Sequence, residues 1–180
     1  MVQVKKHILY NKTLFILLVE LCENPLNSYQ LAKKLKKNPS VIYRHYEHLK
    51  LEKHIIESKE GINYFQLNYE KLASEFLKYL SKFIYNKQVY NLNNRLEKNI
   101  LLHSLIKQYL KLSYSYNEIN TLEGVFELMI EQMAFVNKNV LEGLDKSTKQ
   151  LFKEIIEVKS KHKEMINNMI KNYKKGDDIK

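Results

Sequence analysis

Apolar residues fall along this chain in three successive patterns. The first is a continuous run, LFILLVELC from Leu14 to Cys22, which reads as a core helix. The second begins at Asn27, where the apolar residues thin to a stripe. Leu31, Ala32 and Leu35 fall at helical spacing, with Lys33, Lys34, Lys36 and Lys37 on the other side. Asn27 is a good N-cap, and Gln30 stands three residues on, where its side chain reaches back to the cap's backbone N–H. Asn38-Pro39-Ser40 ends that helix and opens another. Pro39 disfavours helical geometry at Asn38, which becomes the next N-cap, and proline is well tolerated as the first helical residue. The second helix runs from about Pro39 to Leu51, with Ile42, Tyr46 and Leu49 on one inward face. Ser40, Val41, Tyr43, Arg44 and Glu47 project elsewhere. After it, His54 to Ser58 and Ile62 to Leu67 predict two short strands, from Ile56 with Ser58 and Tyr64 with Gln66. Lys59-Glu60-Gly61 joins them, with Gly61 expected to supply the positive φ of a tight hairpin.

The third pattern is helical to the end. Leu72, Phe76, Tyr79, Leu80 and Phe83 predict a helix over about 69–85, followed by a polar break at Asn86 to Asn94. Leu96, Ile100, Leu101, Leu105, Ile106, Tyr109 and Leu110 predict another over about 95–113, ended by Ser113 to Asn117. Leu122, Val125, Phe126, Met129, Ile130, Met133 and Val136 predict a third over about 118–137. The last is expected to start near Ser147, with Gln150 completing a capping box. It carries Leu151, Phe152, Ile155, Ile156, Val158, Met165, Ile166, Met169 and Ile170, and fades into the charged tail Lys174 to Lys180. At about 25 residues it would span roughly 38 Å, longer than a small domain needs. These apolar positions are only partly heptad, which favours a helical bundle over a parallel zipper.

Two helices across a tight turn, then strand, turn and strand, is the order of a helix-turn-helix with a β-wing. The predicted fold class is mainly α with a small β-wing: a winged helix-turn-helix domain over 1–68 and an α-helical dimerisation domain over 69–180. The exposed face of the second helix suits a DNA major groove. Arg44 pairs bidentately with a guanine edge or clamps a phosphate, and Tyr43 bonds a phosphate or packs on a thymine methyl. Ser40 sits at the helix N-terminus, where free backbone N–H groups and the positive dipole end favour a phosphate. Val41 and Glu47 complete that face. Lys33, Lys34, Lys36, Lys37 and Lys59 are the expected phosphate contacts, with Lys59 at the wing tip.

Tyr29-Gln30-Leu31-Ala32-Lys33-Lys34-Leu35, Pro39-Ser40-Val41-Ile42-Tyr43-Arg44-His45 with Leu49, and Gly61 with Tyr64-Phe65-Gln66-Leu67 carry a family likeness. On these residues the stretch 12–84, about two fifths of the chain, resembles the winged-helix transcription regulators of the ArsR/MarR superfamily, in the style common in archaea. The resemblance implies sequence-specific binding to double-stranded DNA as a homodimer. Two departures stand out. Lys36 or Lys37 occupies the inter-helix turn where glycine is frequent, and Ile62 follows the wing glycine where arginine is frequent.

Charge agrees with a polyanionic partner. The chain has 30 basic and 20 acidic residues, a formal net charge of +10. From Lys33 to Lys50 there are six Lys or Arg against one acid, Glu47, a local +5. Such a patch releases counterions when it meets a phosphate backbone. The bland alternative is a winged-helix protein–protein module of transcription or replication machinery, with the lysines a solvated face.

The remaining chemistry is mostly excluding. Cys22 is the single cysteine, so there is neither an intramolecular disulfide nor a multi-cysteine zinc site, and the cysteine pair of metal-sensing ArsR relatives is absent. His45 and His48 lie at i, i+3 on the second helix, but no carboxylate or thiol cluster completes a metal site. None of the four glycines forms a phosphate-cradling loop. No catalytic constellation or cofactor motif appears, and an enzyme is the least favoured reading. The Leu14–Leu21 run is too short to span a bilayer and no cleavage site follows it, so a cytoplasmic protein is expected. Phe126, Met129, Met133 and Phe135 are candidates to line a small-molecule effector pocket, although such a stripe is more often plain core.

Overall fold

The computed structural model describes residues 8–61, 63–81, 95–115, 119–134 and 141–177. Among them the chain is mainly helical, with one small antiparallel sheet. A 3-10 turn at Ile8–Tyr10 leads into α1, Lys12–Glu23. Asn11 caps α1, accepting from Thr13 N–H at 3.0 Å and Leu14 N–H at 3.2 Å. Every residue from Leu17 to Cys22 is buried, as the apolar run predicts.

α2, Ser28–Leu35, opens with both halves of the predicted capping box. Gln30 N–H donates to Asn27 Oδ1 at 2.8 Å and Asn27 N–H to Gln30 Oε1 at 3.2 Å. It ends at Lys36, which takes the left-handed conformation (φ 51°), while Lys37 N–H closes the end on Ala32 O at 3.1 Å. α3, Pro39–Leu51, ends in the same way: Lys53 is left-handed (φ 60°) and His54 N–H bonds Leu49 O at 2.8 Å.

β1, Ile55–Glu57, pairs with β2, Phe65–Leu67, in the register Ile55–Leu67, Ile56–Gln66, Glu57–Phe65. Ile55, Phe65 and Leu67 point inward, while Ile56 and Gln66 face out. Leu26 adds a bridge on the other side of Phe65, with N–H···O distances of 3.2 and 3.1 Å.

The expectation for Gly61 is corrected. No glycine among the described residues has a positive φ, and Asn63 holds that conformation in the turn (φ 64°). Gly61 is needed for space instead, because a Cβ there would stand 2.9 Å from the Tyr64 ring. Ile62 lies outside the described residues.

Among the described residues four long helices follow: α4, Tyr69–Ser81; α5, Ile100–Ser115; α6, Leu122–Met133; and α7, Lys146–Asp177. Positions 82–94, with Phe83, Tyr85 and the Asn-rich break, lie outside the described residues. So do Tyr116 and Asn117 of the predicted break, Phe135 to Asn137, and the tail from Asp178.

The starts of α5 and α6 and the cap of α7 differ from the sequence expectation; α6 begins at Leu122 rather than near Glu118, because Thr121 caps it by accepting from Gly124 N–H at 3.2 Å. α5 begins at Ile100 rather than Arg95, because Asn99 caps it by accepting from Leu102 N–H at 3.0 Å. The restart resets the helical phase. Leu102, Ile106 and Leu110 are buried, whereas Ile100 is 80% and Leu101 39% exposed. α7 is capped by Asp145, which accepts from Ser147 and Thr148 N–H at 3.0 and 3.1 Å. No box forms at Ser147, because Gln150 turns forward to Glu154, one helical turn on. α7 is 32 residues long, or roughly 48 Å at 1.5 Å per residue.

α5 is the hub, packed against α1, α4 and α6, and α7 packs on α6. The 3-10 turn also packs on α6, burying Ile8 and Leu9. One apolar cluster therefore runs without a gap from Ile8 to Val158. Leu17, Leu21, Leu31, Ile42, Tyr46 and Leu49 belong to it, with Leu35 half-buried at its edge. No helix among the described residues is long and apolar enough to cross a membrane.

Candidate nucleic-acid interface

α3 is fixed from below. Ile42, Tyr46 and Leu49 are 1%, 2% and 0% exposed, each side chain contributing about 1.5–3 kcal/mol by burial. The Tyr46 hydroxyl donates to Leu26 O, and its ring meets Phe65 edge-on with centroids 5.4 Å apart. With that face anchored, Ser40, Val41, Tyr43 and Arg44 are exposed and Glu47 is half-buried. His45 and His48 are half-buried beside them.

The start of α3 is better satisfied than the sequence suggests. Ser40 N–H donates to Asn38 Oδ1 at 2.9 Å and Ser40 Oγ to the same atom at 2.6 Å. Val41 and Ile42 N–H bond Asn38 O at 3.1 and 3.2 Å. Pro39 has no N–H to offer. The expected phosphate site on free N–H groups at Ser40 is thus not present, since the cap uses them. Arg44 leans back along the helix, its Nε donating to Ser40 O at 3.4 Å, and makes no ion pair among the described residues.

The five lysines separate by role. Lys33, Lys36, Lys37 and Lys59 are exposed and make no ion pair among the described residues. Lys34 differs: its ammonium pairs with the buried Glu20 carboxylate and ties α2 to α1. Lys50 is a cation the sequence reading passed over. Its Nζ stands 5.3 Å from the centroid of the Phe65 ring, which holds it at the edge of the same face.

The β1–β2 turn is braced from α2. Gln30 Nε2 donates to the Tyr64 hydroxyl at 2.7 Å, and Tyr64 lies over Gly61. Ser58 N–H bonds Tyr64 O at 2.8 Å, so Lys59 starts the turn from a fixed base.

Two adjoining hollows open on this face. One, of about 510 Å³, is lined by Ser28, Tyr29, Pro39, Ser40, Tyr43 and Arg44. The other, of about 440 Å³, shares Ser28, Tyr29 and Tyr43 and adds Glu47 and Lys50. Tyr29 was not among the sequence-derived candidates. Its signal was available: an aromatic in the first turn of α2, off the Leu31-Ala32-Leu35 stripe.

Elsewhere the candidate chemistry turns into packing. Phe126, Met129 and Met133 are at most 2% exposed, and Phe126 meets Phe76 at 5.2 Å and Tyr79 at 5.9 Å between centroids, so a ligand there would have to displace core contacts. Phe135 lies outside the described residues. Cys22 is buried, 3.6 Å from the Tyr69 hydroxyl and 3.5 Å from Lys107 O. Burial pushes its thiol pKa up, which works against thiolate reactivity. No group of three or more His, Cys, Asp or Glu among the described residues is arranged to hold a metal ion. No family model, curated protein or solved structure matches this chain.

Proposed function

We propose that this chain is a winged helix-turn-helix regulator of transcription that binds specific double-stranded DNA as a homodimer, with α3 in the major groove. The observation that carries the reading is the outer face of α3. Ser40, Val41, Tyr43 and Arg44 stand exposed on a helix locked from beneath, with a guanidinium free of any ion pair among the described residues. Lys33 on the preceding helix, Lys36 and Lys37 in the turn that leads into α3, and Lys59 in the hairpin turn are exposed cations of the same unit. A rigid helix bearing a mixed polar, apolar and arginine face within a cationic unit suits base-edge readout with phosphate anchoring. In this reading Arg44 and Val41 read bases, and the lysines set register on the backbone. Lys34 contributes less than the others because Glu20 already neutralises it.

The homodimer rests on α7. It runs from Lys146 to Asp177, roughly 48 Å, longer than a small domain needs. Met165, Ile166, Met169 and Ile170 continue the apolar spacing along it, which suits pairing with a second copy. Two linked readers are what an inverted-repeat site requires.

The test is the affinity of the full chain for duplex DNA across a salt series. Affinity should fall by an order of magnitude or more between about 50 and 200 mM salt if several phosphates are neutralised. Absence of binding to any duplex at low salt would leave this face as a docking surface for a protein.

A further inference from the structure

Tyr29 and Tyr43 are the anomaly of the proposed DNA-facing surface. Tyr29 is 69% and Tyr43 55% exposed, and they come from different helices. Neither makes a hydrogen bond or a ring contact among the described residues, so the fold has no evident use for them. Both rings line both hollows. In the larger hollow they stand with the Pro39 ring, while the polar groups there come from Ser28, Ser40 and Arg44.

A wall of ring carbons cannot discriminate between hydrogen-bonding edges. It gains by taking apolar surface out of water. In the major groove of duplex DNA, the apolar group that base pairs present is the C5-methyl of thymine. Arg44 is the charged group in the wall of the larger hollow, and Lys50 stands with Glu47 in that of the smaller, which leaves the pair of hollows net positive. This complementarity argues for a nucleic-acid occupant over an apolar peptide.

We propose that Tyr29 and Tyr43 form a methyl-reading cleft that selects thymine beside the bases contacted by α3. The proposal rests on the reading of α3 as a major-groove element and extends the readout to α2. Tyr29 becomes a specificity-determining residue outside the second helix. Its hydroxyl is not required for the task, but its ring is.

The test uses the full-length protein and two duplex pools of random A·T sequence, one synthesised with thymidine and one with deoxyuridine, which lacks only the methyl. The wild-type protein should bind the thymidine pool tighter, by about three- to fivefold for each methyl buried in the cleft. Tyr29→Ala should bring that ratio close to one, and Tyr29→Phe should keep it. Tyr29 is largely exposed, so these changes leave the core untouched.

Equal binding of the two pools by wild type, with salt-dependent duplex binding intact, would overturn the cleft and leave the DNA-binding reading standing. So would full methyl discrimination retained by Tyr29→Ala. Loss of binding to both pools would remove the parent reading and the cleft together. Tighter binding of the single strands than of the duplex would also overturn it, because exposed tyrosines then serve as stacking platforms for unpaired bases.

Discussion

At the residue scale, the least comfortable side chain is His54. It is 4% exposed, and neither ring nitrogen has a hydrogen-bond partner. The nearest acid is Glu75, at 3.9 Å, too far for a hydrogen bond. Burial lowers the His54 pKa from the ordinary 6.5 to about 4, outweighing the pull of Glu75 in the other direction. Burial pushes the Glu75 carboxyl up, but the Lys71 ammonium at 3.0 Å and Lys78 at 3.6 Å outweigh it and hold the pKa below the usual range. Both folded values lie below their unfolded ones, so both groups contribute stability that is lost as pH falls. For His54 the loss begins at the unfolded pKa of 6.5 and runs down towards about 4, ahead of most carboxylates. The expected result is a urea midpoint that drops as pH is lowered from 6.5. His54→Leu should flatten the upper part of that decline. An unchanged pH profile in the variant would show that His54 is not the group being titrated.

At the element scale, the turn between α2 and α3 sets how α3 is presented, and it closes on a lysine. Lys36 at φ 51° carries the strain of a left-handed side chain. Lys36→Gly should therefore raise unfolding stability by up to about 1 kcal/mol in urea denaturation. The same change should weaken duplex binding and lower its salt slope by about one if Lys36 meets a phosphate. A gain in stability with the slope unchanged would assign Lys36 to the turn alone. Local signals of this kind explain what the sequence revealed. Asn27 with Gln30, Asn38 with Pro39, and the Ile42-Tyr46-Leu49 stripe are short-range, and the structure reproduces each. Propensity alone assigns the left-handed residue of the hairpin turn to Gly61, whereas packing of Tyr64 fixes Gly61 and leaves the conformation to Asn63. The start of α5 escapes the sequence pattern because Asn99 caps it from within the apolar run and is tied across the fold, donating to Thr148 Oγ at 2.9 Å. The Tyr29–Tyr43 cleft is out of reach for the same reason, since it joins two helices that only the fold brings together.

At the scale of the whole molecule, the α2–α3–hairpin unit is not built on a core separate from the helices behind it. α1 packs on α5, and Cys22 meets Lys107 across that contact. Ending the chain near residue 84 would uncover this side of α1, so the DNA-binding reading is best tested on the intact chain. In the proposed reading, α7 links two such chains and so sets the spacing between their α3 helices. The most direct measurement is selection of bound fragments from the source genome by the full-length protein, run beside Arg44→Ala. The account predicts enrichment of an inverted repeat with half-sites about one helical turn apart. Arg44→Ala should cost roughly 1–3 kcal/mol on the enriched site and flatten preference at one base pair of each half-site. Enrichment of single half-sites would remove the dimer, and equal loss on enriched and random duplexes would make Arg44 a phosphate contact. A bound pool no different from the input, at low salt, would contradict the account itself.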